Sequence, residues 1–71
     1  PSMSEKINLA DFVSSHRKKH NLTQHKLAKM AGVPQSTIGR IETGKTEPSI
    51  NMLEKIASAT NCVLKVSFEE K

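Results

Sequence analysis

The chain has 71 residues, 25% of them charged, and a formal net charge of +4. A single cysteine excludes an internal disulfide, and the lack of any long apolar run excludes a membrane-spanning helix. A chain this short is expected to form one small domain that buries only roughly 60% of its unfolded surface.

Three parts can be distinguished along the sequence. Residues 1–3 comprise Pro1 and Ser2, which we interpret as the remainder of an expression tag, and Met3 as the natural start. No secretory signal is expected. Residues 7–60 carry helical periodicity, and residues 61–71 change to an alternating pattern.

The first two predicted helices follow from apolar spacing and capping residues. Apolar residues at three- and four-residue steps predict an amphipathic helix from about Asn8 to His20, followed by a turn at Asn21. Thr23 is a suitable N-cap for a short second helix, and Gly32 ends it.

Two further helices and a strand complete the predicted elements. Pro34 suits the start of a third helix that ends at Thr43-Gly44, and Ser49 caps a fourth helix running to about Thr60. Alternating apolar residues over 62–68 then predict a strand. The candidate core residues are Leu9, Val13, Leu22, Leu27, Met30, Val33, Ile38, Ile41, Ile50, Leu53 and Ile56.

Residues 39–46, GRIETGKT, match the nucleotide-binding pattern G-x-x-x-x-G-K-[ST] at every fixed position. A phosphate-binding loop of that kind follows a buried strand and opens a helix. The residues before Gly39 instead include Pro34 and several polar side chains, and Pro48 stands where the helix should run. We therefore interpret the match as coincidental and expect no nucleotide or other cofactor.

Positive charge is concentrated in the middle of the sequence. Residues 16–47 contain seven Lys and Arg against two Glu, a net charge of +5, whereas the rest of the chain sums to −1. This distribution favours a polyanionic partner such as nucleic acid. On charge alone, the alternative is a solvated basic face with no partner.

Residues 22–56 resemble the Cro/repressor (Xre-type) helix-turn-helix family of DNA-binding proteins. The matching motifs are Leu22-Thr23-Gln24, Leu27-Ala28, Ala31-Gly32-Val33, Ser36-Thr37-Ile38, Arg40-Ile41-Glu42, Gly44-Lys45, Pro48-Ser49 and Leu53. The resemblance implies a mainly α, four-helix, lambda-repressor-like helix-turn-helix domain over residues 7–60. It implies a transcriptional regulator, usually a repressor, that binds double-stranded DNA. Pro34 and Gly39 depart from the family pattern, where a capping Ser or Thr and a longer DNA-facing side chain are common.

The third helix carries the candidate base-contacting residues. In this family its first turn enters the major groove, and here that turn holds Gln35, Ser36 and Thr37, with Arg40 one turn further on. Gln can pair with adenine, Ser and Thr can contact several base edges, and Arg can reach guanine or a phosphate.

The resemblance also implies a set of contacts to the DNA backbone. Gln24, at the start of the second helix, is expected to contact a phosphate and to brace the first residue of the third helix. Thr43, Lys45 and Thr46 are expected to touch phosphates from the loop after the third helix.

Glu42 would repel DNA if it faced the duplex. It lies four residues after Ile38 and so turns toward the core side, as Arg17 does four residues after Val13. The resemblance implies a partly buried Arg17–Glu42 ion pair that ties the first helix to the third. Both residues are therefore assigned to structure.

His16 and His20 are four residues apart, with His25 nearby, and could indicate a metal site. Because neither an acid nor a cysteine stands at ligand spacing, we expect no metal, and we interpret Cys62 as a small apolar strand residue. The sequence contains no recognisable nucleophile–base pair, so no enzymatic activity is expected.

The predicted C-terminal strand has no predicted partner within the chain. We expect it to pair with a second copy across a two-fold axis, so that residues 61–71 dimerise the protein through Leu64, Val66 and Phe68. A homodimer would prefer a palindromic operator. A short terminal strand also resembles HipB-type antitoxin repressors, so the alternative function is an antitoxin that binds a toxin protein as well as its own promoter. The resemblance implies a cytoplasmic, nucleoid-associated protein of bacterial or phage type, with no membrane partner.

Overall fold

The structure is a computed structural model that describes residues 8–70. Within that range the chain forms four helices: α1 (Leu9–Lys19), α2 (Gln24–Ala31), α3 (Gln35–Glu42) and α4 (Ile50–Ala59). The predicted mainly α, four-helix fold is confirmed, and each helix begins and ends within one or two residues of its predicted position. The predicted tag and start residues lie outside the described range. No helix among residues 8–70 is long and apolar enough to cross a membrane.

Side-chain caps determine where three of the helices begin. The side-chain oxygens of Asn8, Thr23 and Ser49 each accept an N–H of the following first turn at 3.0–3.1 Å. Pro34 stands at the same position before α3 and has no side-chain oxygen to accept such a bond. The amino end of α3 is therefore held without a polar cap.

All four helices end in the same way. A residue with positive φ follows each one: Asn21 (58°), Gly32 (74°), Gly44 (80°) and Asn61 (59°). In each case the next N–H donates to a carbonyl five residues earlier, at 2.7–3.1 Å. Gly32 adopts this backbone without strain, which makes the turn from α2 into α3 tight.

The core lies where α3 packs against α1 and α2, and where α4 packs against α2. Its most completely buried large side chains are Val13, Leu27, Ile38 and Ile41. Each such side chain stabilises the fold by about 1.5–3 kcal/mol relative to an exposed position. Since Ile38 and Ile41 belong to α3, burying them fixes which face of α3 remains in solvent.

The prediction that Met30 and Ile50 belong to the core is wrong. Met30 is 45% exposed and Ile50 is 54% exposed. Met30 falls outside the face of α2 that Leu27 and Ala28 bury, and Ile50 is the first residue of α4. Both side chains fit the helical spacing of the apolar residues, but spacing alone does not show how wide the buried face is.

The predicted C-terminal strand is not formed in the described chain. Residues 62–70 are neither helical nor in a strand, because residues 8–61 provide no strand with which their backbone groups could pair. Burial follows the alternating pattern only at the start of residues 62–70, where Cys62 and Leu64 are half-buried. Val66 and Phe68 are 66% and 102% exposed. Pairing across a dimer therefore stays a prediction.

Candidate nucleic-acid interface

The solvent-facing side of α3 carries the predicted base-contacting residues. Gln35, Ser36 and Arg40 are exposed, and Thr37 is half-buried. The opposite side of the helix is anchored in the core by Ile38, which has no exposed surface. A rigid helix thus holds a row of polar side chains outward, which is the arrangement that major-groove reading requires.

The amino ends of α2 and α3 favour an anion. Neither helix has an acidic residue in its first turn, whereas α1 has Asp11 there. In α3 the Thr37 N–H donates to the Pro34 carbonyl at 3.0 Å, whereas the N–H groups of Gln35 and Ser36 have no acceptor among residues 8–70. Unpaired amides at the positive end of a helix dipole attract phosphate.

Arg17 and Glu42 form a two-pronged ion pair between α1 and α3. Arg17 Nε donates to Glu42 Oε2 at 2.7 Å, and Arg17 Nη2 donates to Oε1 at 2.9 Å. A third donor, Nη1, bonds the carbonyl oxygen of Leu22 at 2.7 Å. Their side chains are 13% and 6% exposed. The pair therefore neutralises the only acid of α3.

The ion pair changes the acidity of both partners. Burial by itself would raise the pKa of the Glu42 carboxyl, but hydrogen bonds from Arg17 and Gln24, with the Arg17 charge, lower it below its usual value. The hydrogen bond to Glu42 is the main reason that the pKa of Arg17 is raised. Both shifts favour the charged pair in the folded state.

We expect the fold to lose stability as the pH falls below about 4.5, the ordinary pKa of a glutamate. As the pH falls, Glu42 is protonated in the unfolded chain before it is protonated in the folded chain, because its pKa is lower in the folded chain. The contribution of the ion pair to the free energy of unfolding is therefore complete above about pH 4.5 and is lost as the pH falls through the pKa of the folded chain. Urea unfolding between about pH 3 and pH 7 should show a flatter curve for Glu42→Gln, while exposed Glu47→Gln should follow the wild type. Equal steepness for Glu42→Gln and the wild type would contradict this assignment.

Gln24 connects the ion pair to the middle of α3. Its Nε2 donates to Glu42 Oε1 at 3.0 Å. Its Oε1 lies 3.6 Å from the position that a Cβ on Gly39 would take, which is ordinary van der Waals contact. Among the described residues no hydrogen bond joins Gln24 to Gln35. The brace therefore reaches the end of α3 instead of its first residue, which differs from what the resemblance implied.

Residues 43–46 follow α3 and close its carboxyl end, so the P-loop pattern does not form a phosphate-binding loop here. The N–H groups of Lys45 and Thr46 donate to the Arg40 carbonyl at 2.9 and 3.3 Å. They therefore cap the negative end of α3, whereas P-loop amides surround phosphate at the positive end of a helix. The Thr43 hydroxyl donates to the Gly39 carbonyl at 3.0 Å. Lys45 and Thr46 have exposed side chains without a polar partner in residues 8–70, whereas both donors of Thr43 are engaged.

The ion pair leaves the net charge of residues 16–47 unchanged, because the charges of Arg17 and Glu42 cancel each other. The remaining acid of residues 16–47 is Glu47. The remaining cations of the same range are Lys18, Lys19, Lys26, Lys29, Arg40 and Lys45, and all six are exposed. This excess of solvated cations matches a polyanionic surface.

His16, His20 and Cys62 come together in the structure, which their spacing in the sequence did not reveal. Cys62 Sγ lies 3.8 Å from His20 Nε2, and the ring centroids of His16 and His20 are 4.5 Å apart. No cysteine stands at ligand spacing from these histidines in the sequence, but the fold brings Cys62 beside both of them. The turn at Asn61, after α4, brings the chain back to α1.

Comparison with known proteins gives one family and several relatives. A family model described as helix-turn-helix matches residues 14–70. An uncharacterized HTH-type transcriptional regulator of Methanocaldococcus jannaschii is 52% identical over 42 residues, 59% of this chain and 64% of that protein. One from Archaeoglobus fulgidus is 39% identical over 56 residues, 79% of each chain. Another from Methanothermobacter thermautotrophicus is 40% identical over 48 residues, 68% of this chain and 70% of that protein.

Proposed function

This chain belongs to the Xre-type helix-turn-helix family of transcriptional regulators, and we propose that it represses transcription as a homodimer bound to a specific DNA operator. The observation that carries the proposal is the arrangement of α3. Its apolar side is fixed in the core, and its first turn presents Gln35 and Ser36 beside uncapped amides. The one acid on α3, Glu42, is neutralised by Arg17.

In the proposed complex, the amino end of α3 enters the major groove. Base edges are read by Gln35, Ser36 and Arg40, which are exposed on the solvent side of the helix, and by Thr37, which is half-buried beside them. Gly39 brings no side chain to this surface, and Gln24 occupies the space beside it. The base-reading set is therefore confined to the first turn of α3 and to Arg40.

The DNA backbone is proposed to meet Lys45 and Thr46, together with the amino end of α2 at Gln24. The Lys45 and Thr46 side chains have donors available, whereas the Thr43 hydroxyl already donates to carbonyl oxygens of α3. One N–H of the Gln24 side-chain amide donates to Glu42, which leaves its second N–H for a phosphate. We rank Lys45 above Gln24 and Thr43 as a phosphate contact, because its exposed side chain carries a full positive charge.

Replacing Lys45 by Ala should weaken specific and nonspecific DNA binding to a similar extent. One phosphate contact fewer lowers the slope of log K against log salt by about 0.9. The matched control is Lys55→Ala, which removes an exposed lysine from α4 and should leave the slope as in the wild type. Fluorescence anisotropy on a labelled duplex over a salt series measures the affinity and the salt slope of each variant. An unchanged slope for Lys45→Ala would remove this residue from the interface.

The homodimer is proposed to form through the C-terminal segment. Leu64 packs against the core, and Val66 and Phe68 extend from it into solvent. Phe12 and Ile50, 49% and 54% exposed, border the same apolar groove as Leu64 and Val66. A second copy would bury this surface and supply the missing strand partner. Two copies of α3 would then meet successive major grooves about 34 Å apart, on a palindromic operator.

Sedimentation equilibrium tests this dimer. We expect the wild type to be dimeric at high micromolar concentration, and the double variant Val66→Ser/Phe68→Ser to be monomeric because the lost side chains are exposed in the single chain. Val63→Ser removes an apolar side chain from the other side of the alternating pattern and should remain dimeric. A monomeric wild type at that concentration would show that the segment does not dimerise the protein.

A second candidate function is that of an antitoxin, since a toxin protein could cover the same exposed Val66 and Phe68. Either regulator would act in the cytoplasm, where it meets the chromosome. A chain that is monomeric at high micromolar concentration would remove this alternative as well, because the antitoxin hypothesis rests on a dimer held by paired C-terminal strands.

A further inference from the structure

We propose that His16, His20 and Cys62 form a binding site for a divalent transition-metal ion of the Zn²⁺ class. One ligand atom from each residue lies within 4.8 Å of the other two. All three residues are half-buried, so the cluster is reachable from solvent and partly shielded from it. The site uses none of the residues assigned to DNA and goes beyond the regulatory function.

The spacing of the ligand atoms is close to what a tetrahedral ion requires. Zn–N distances of about 2.0–2.1 Å and Zn–S distances of about 2.3 Å place a sulfur and a nitrogen about 3.6 Å apart at the tetrahedral angle. Cys62 Sγ and His20 Nε2 are 3.8 Å apart. His16 and His20 lie on one face of α1 because they are four residues apart. Small side-chain rotations would therefore complete the coordination.

A hydrogen bond with Thr60 can orient His16 for binding the metal ion. Thr60 Oγ1 lies 3.1 and 3.0 Å from the carbonyl oxygens of Ile56 and Ala57, which can accept its one hydrogen. Its lone pair can then accept the Nε2–H of His16 at 2.8 Å. In that arrangement neutral His16 carries its lone pair on Nδ1, and an ion held there would keep the hydrogen bond to Thr60.

The chemistry of the donors selects the ion. A thiolate and two imidazoles suit Zn²⁺ and Co²⁺, whereas Mg²⁺ and Ca²⁺ prefer oxygen ligands. Three protein ligands leave one position of a tetrahedron for water. The ion would join α1 to the first residues of the segment after α4. It would thereby hold the start of that segment against the domain.

A titration of the reduced full chain with Co²⁺, followed by displacement with Zn²⁺, tests the site. We expect one Co²⁺ per chain with a sulfur-to-cobalt charge-transfer absorption. Cys62→Ser should abolish that absorption, and His20→Ala should weaken binding by more than about 100-fold, since outer-shell changes alone cost 10–100-fold. His25→Ala, which removes an exposed histidine from α2, should bind Co²⁺ as the wild type does.

Three results would overturn the site. They are the lack of a charge-transfer absorption in the wild type, binding to Cys62→Ser as tight as to the wild type, and one ion shared by two chains. Circular dichroism of each variant verifies the fold, and Cys62→Ala replaces Cys62→Ser if the serine variant unfolds. As an independent readout, Zn²⁺ should raise the melting temperature of the wild type but not of the Cys62 variants.

Discussion

Replacing Glu42 by Ala is expected to lower the free energy of unfolding by about 3–5 kcal/mol, because it leaves the mostly buried charge of Arg17 without its partner. In the wild type, Arg17 places two donors on Glu42 at 2.7 and 2.9 Å, and its side chain is only 13% exposed. The substitution also leaves the Gln24 amide without its acceptor. Urea unfolding at neutral pH measures the change.

A double variant separates the unpaired charge from the loss of packing. Arg17→Met/Glu42→Leu removes both charges while keeping apolar volume between α1 and α3, and exchanges of this kind are often neutral or stabilising. We therefore expect the double variant to be clearly more stable than Glu42→Ala. A loss below about 1 kcal/mol for Glu42→Ala, the level of exposed ion pairs, would show that the pair does not tie α1 to α3.

Replacing Gln35 by Ala is expected to weaken binding to the specific operator by about 1–3 kcal/mol, or about 5- to 150-fold, which is the range for one base contact. Binding to unrelated duplexes should change far less, because it depends on phosphate contacts. Gln35 is exposed at the amino end of α3, so removing its side chain should leave the fold intact.

The measurements on Gln35→Ala need a control variant at a polar residue outside the proposed interface. Asn51→Ala removes an exposed amide from α4 and should leave both affinities as in the wild type. Equal losses of specific and nonspecific binding for Gln35→Ala would mean that Gln35 contacts the DNA backbone, or makes no contact with the DNA, and does not read a base. Arg40 would then be the next residue of α3 to replace.

Helix positions could be read from the sequence because the signals are local. Thr23 and Ser49 cap the amides of the turn that follows them, and Gly32 and Gly44 adopt the positive φ that ends a helix. Each of these effects depends on a few neighbouring residues. The four-helix fold was therefore predictable, together with the outward face of α3.

Features that depend on contacts between distant residues were harder to predict. Cys62 meets His20 only because the turn at Asn61 directs the chain back to α1. The exposure of Met30 depends on how wide a face of α2 the neighbouring helices cover. The C-terminal strand is a different case, since an alternating pattern indicates a strand but does not provide the second strand with which it pairs.

The GRIETGKT stretch shows how structure decides between two interpretations of one motif. In sequence it satisfies every fixed position of a nucleotide-binding loop. In the fold, Gly39 lies inside α3 and the amides of Lys45 and Thr46 bond the Arg40 carbonyl. The backbone groups that would hold a nucleotide are thus used to end a helix. The side chains of Lys45 and Thr46 remain exposed, which leaves them available for the proposed contacts with the DNA backbone.

Selection from a pool of random duplex DNA tests the central claim most directly, with binding of the selected sequence then measured over a salt series. If α3 reads the major groove in a homodimer, the wild type should enrich a palindromic site with half-sites about one helical turn apart, and binding should weaken steeply as salt rises. Gln35→Ala should enrich that site poorly. Failure to enrich any sequence, together with no salt-dependent binding to any duplex at low salt, would contradict a DNA-binding function for this surface.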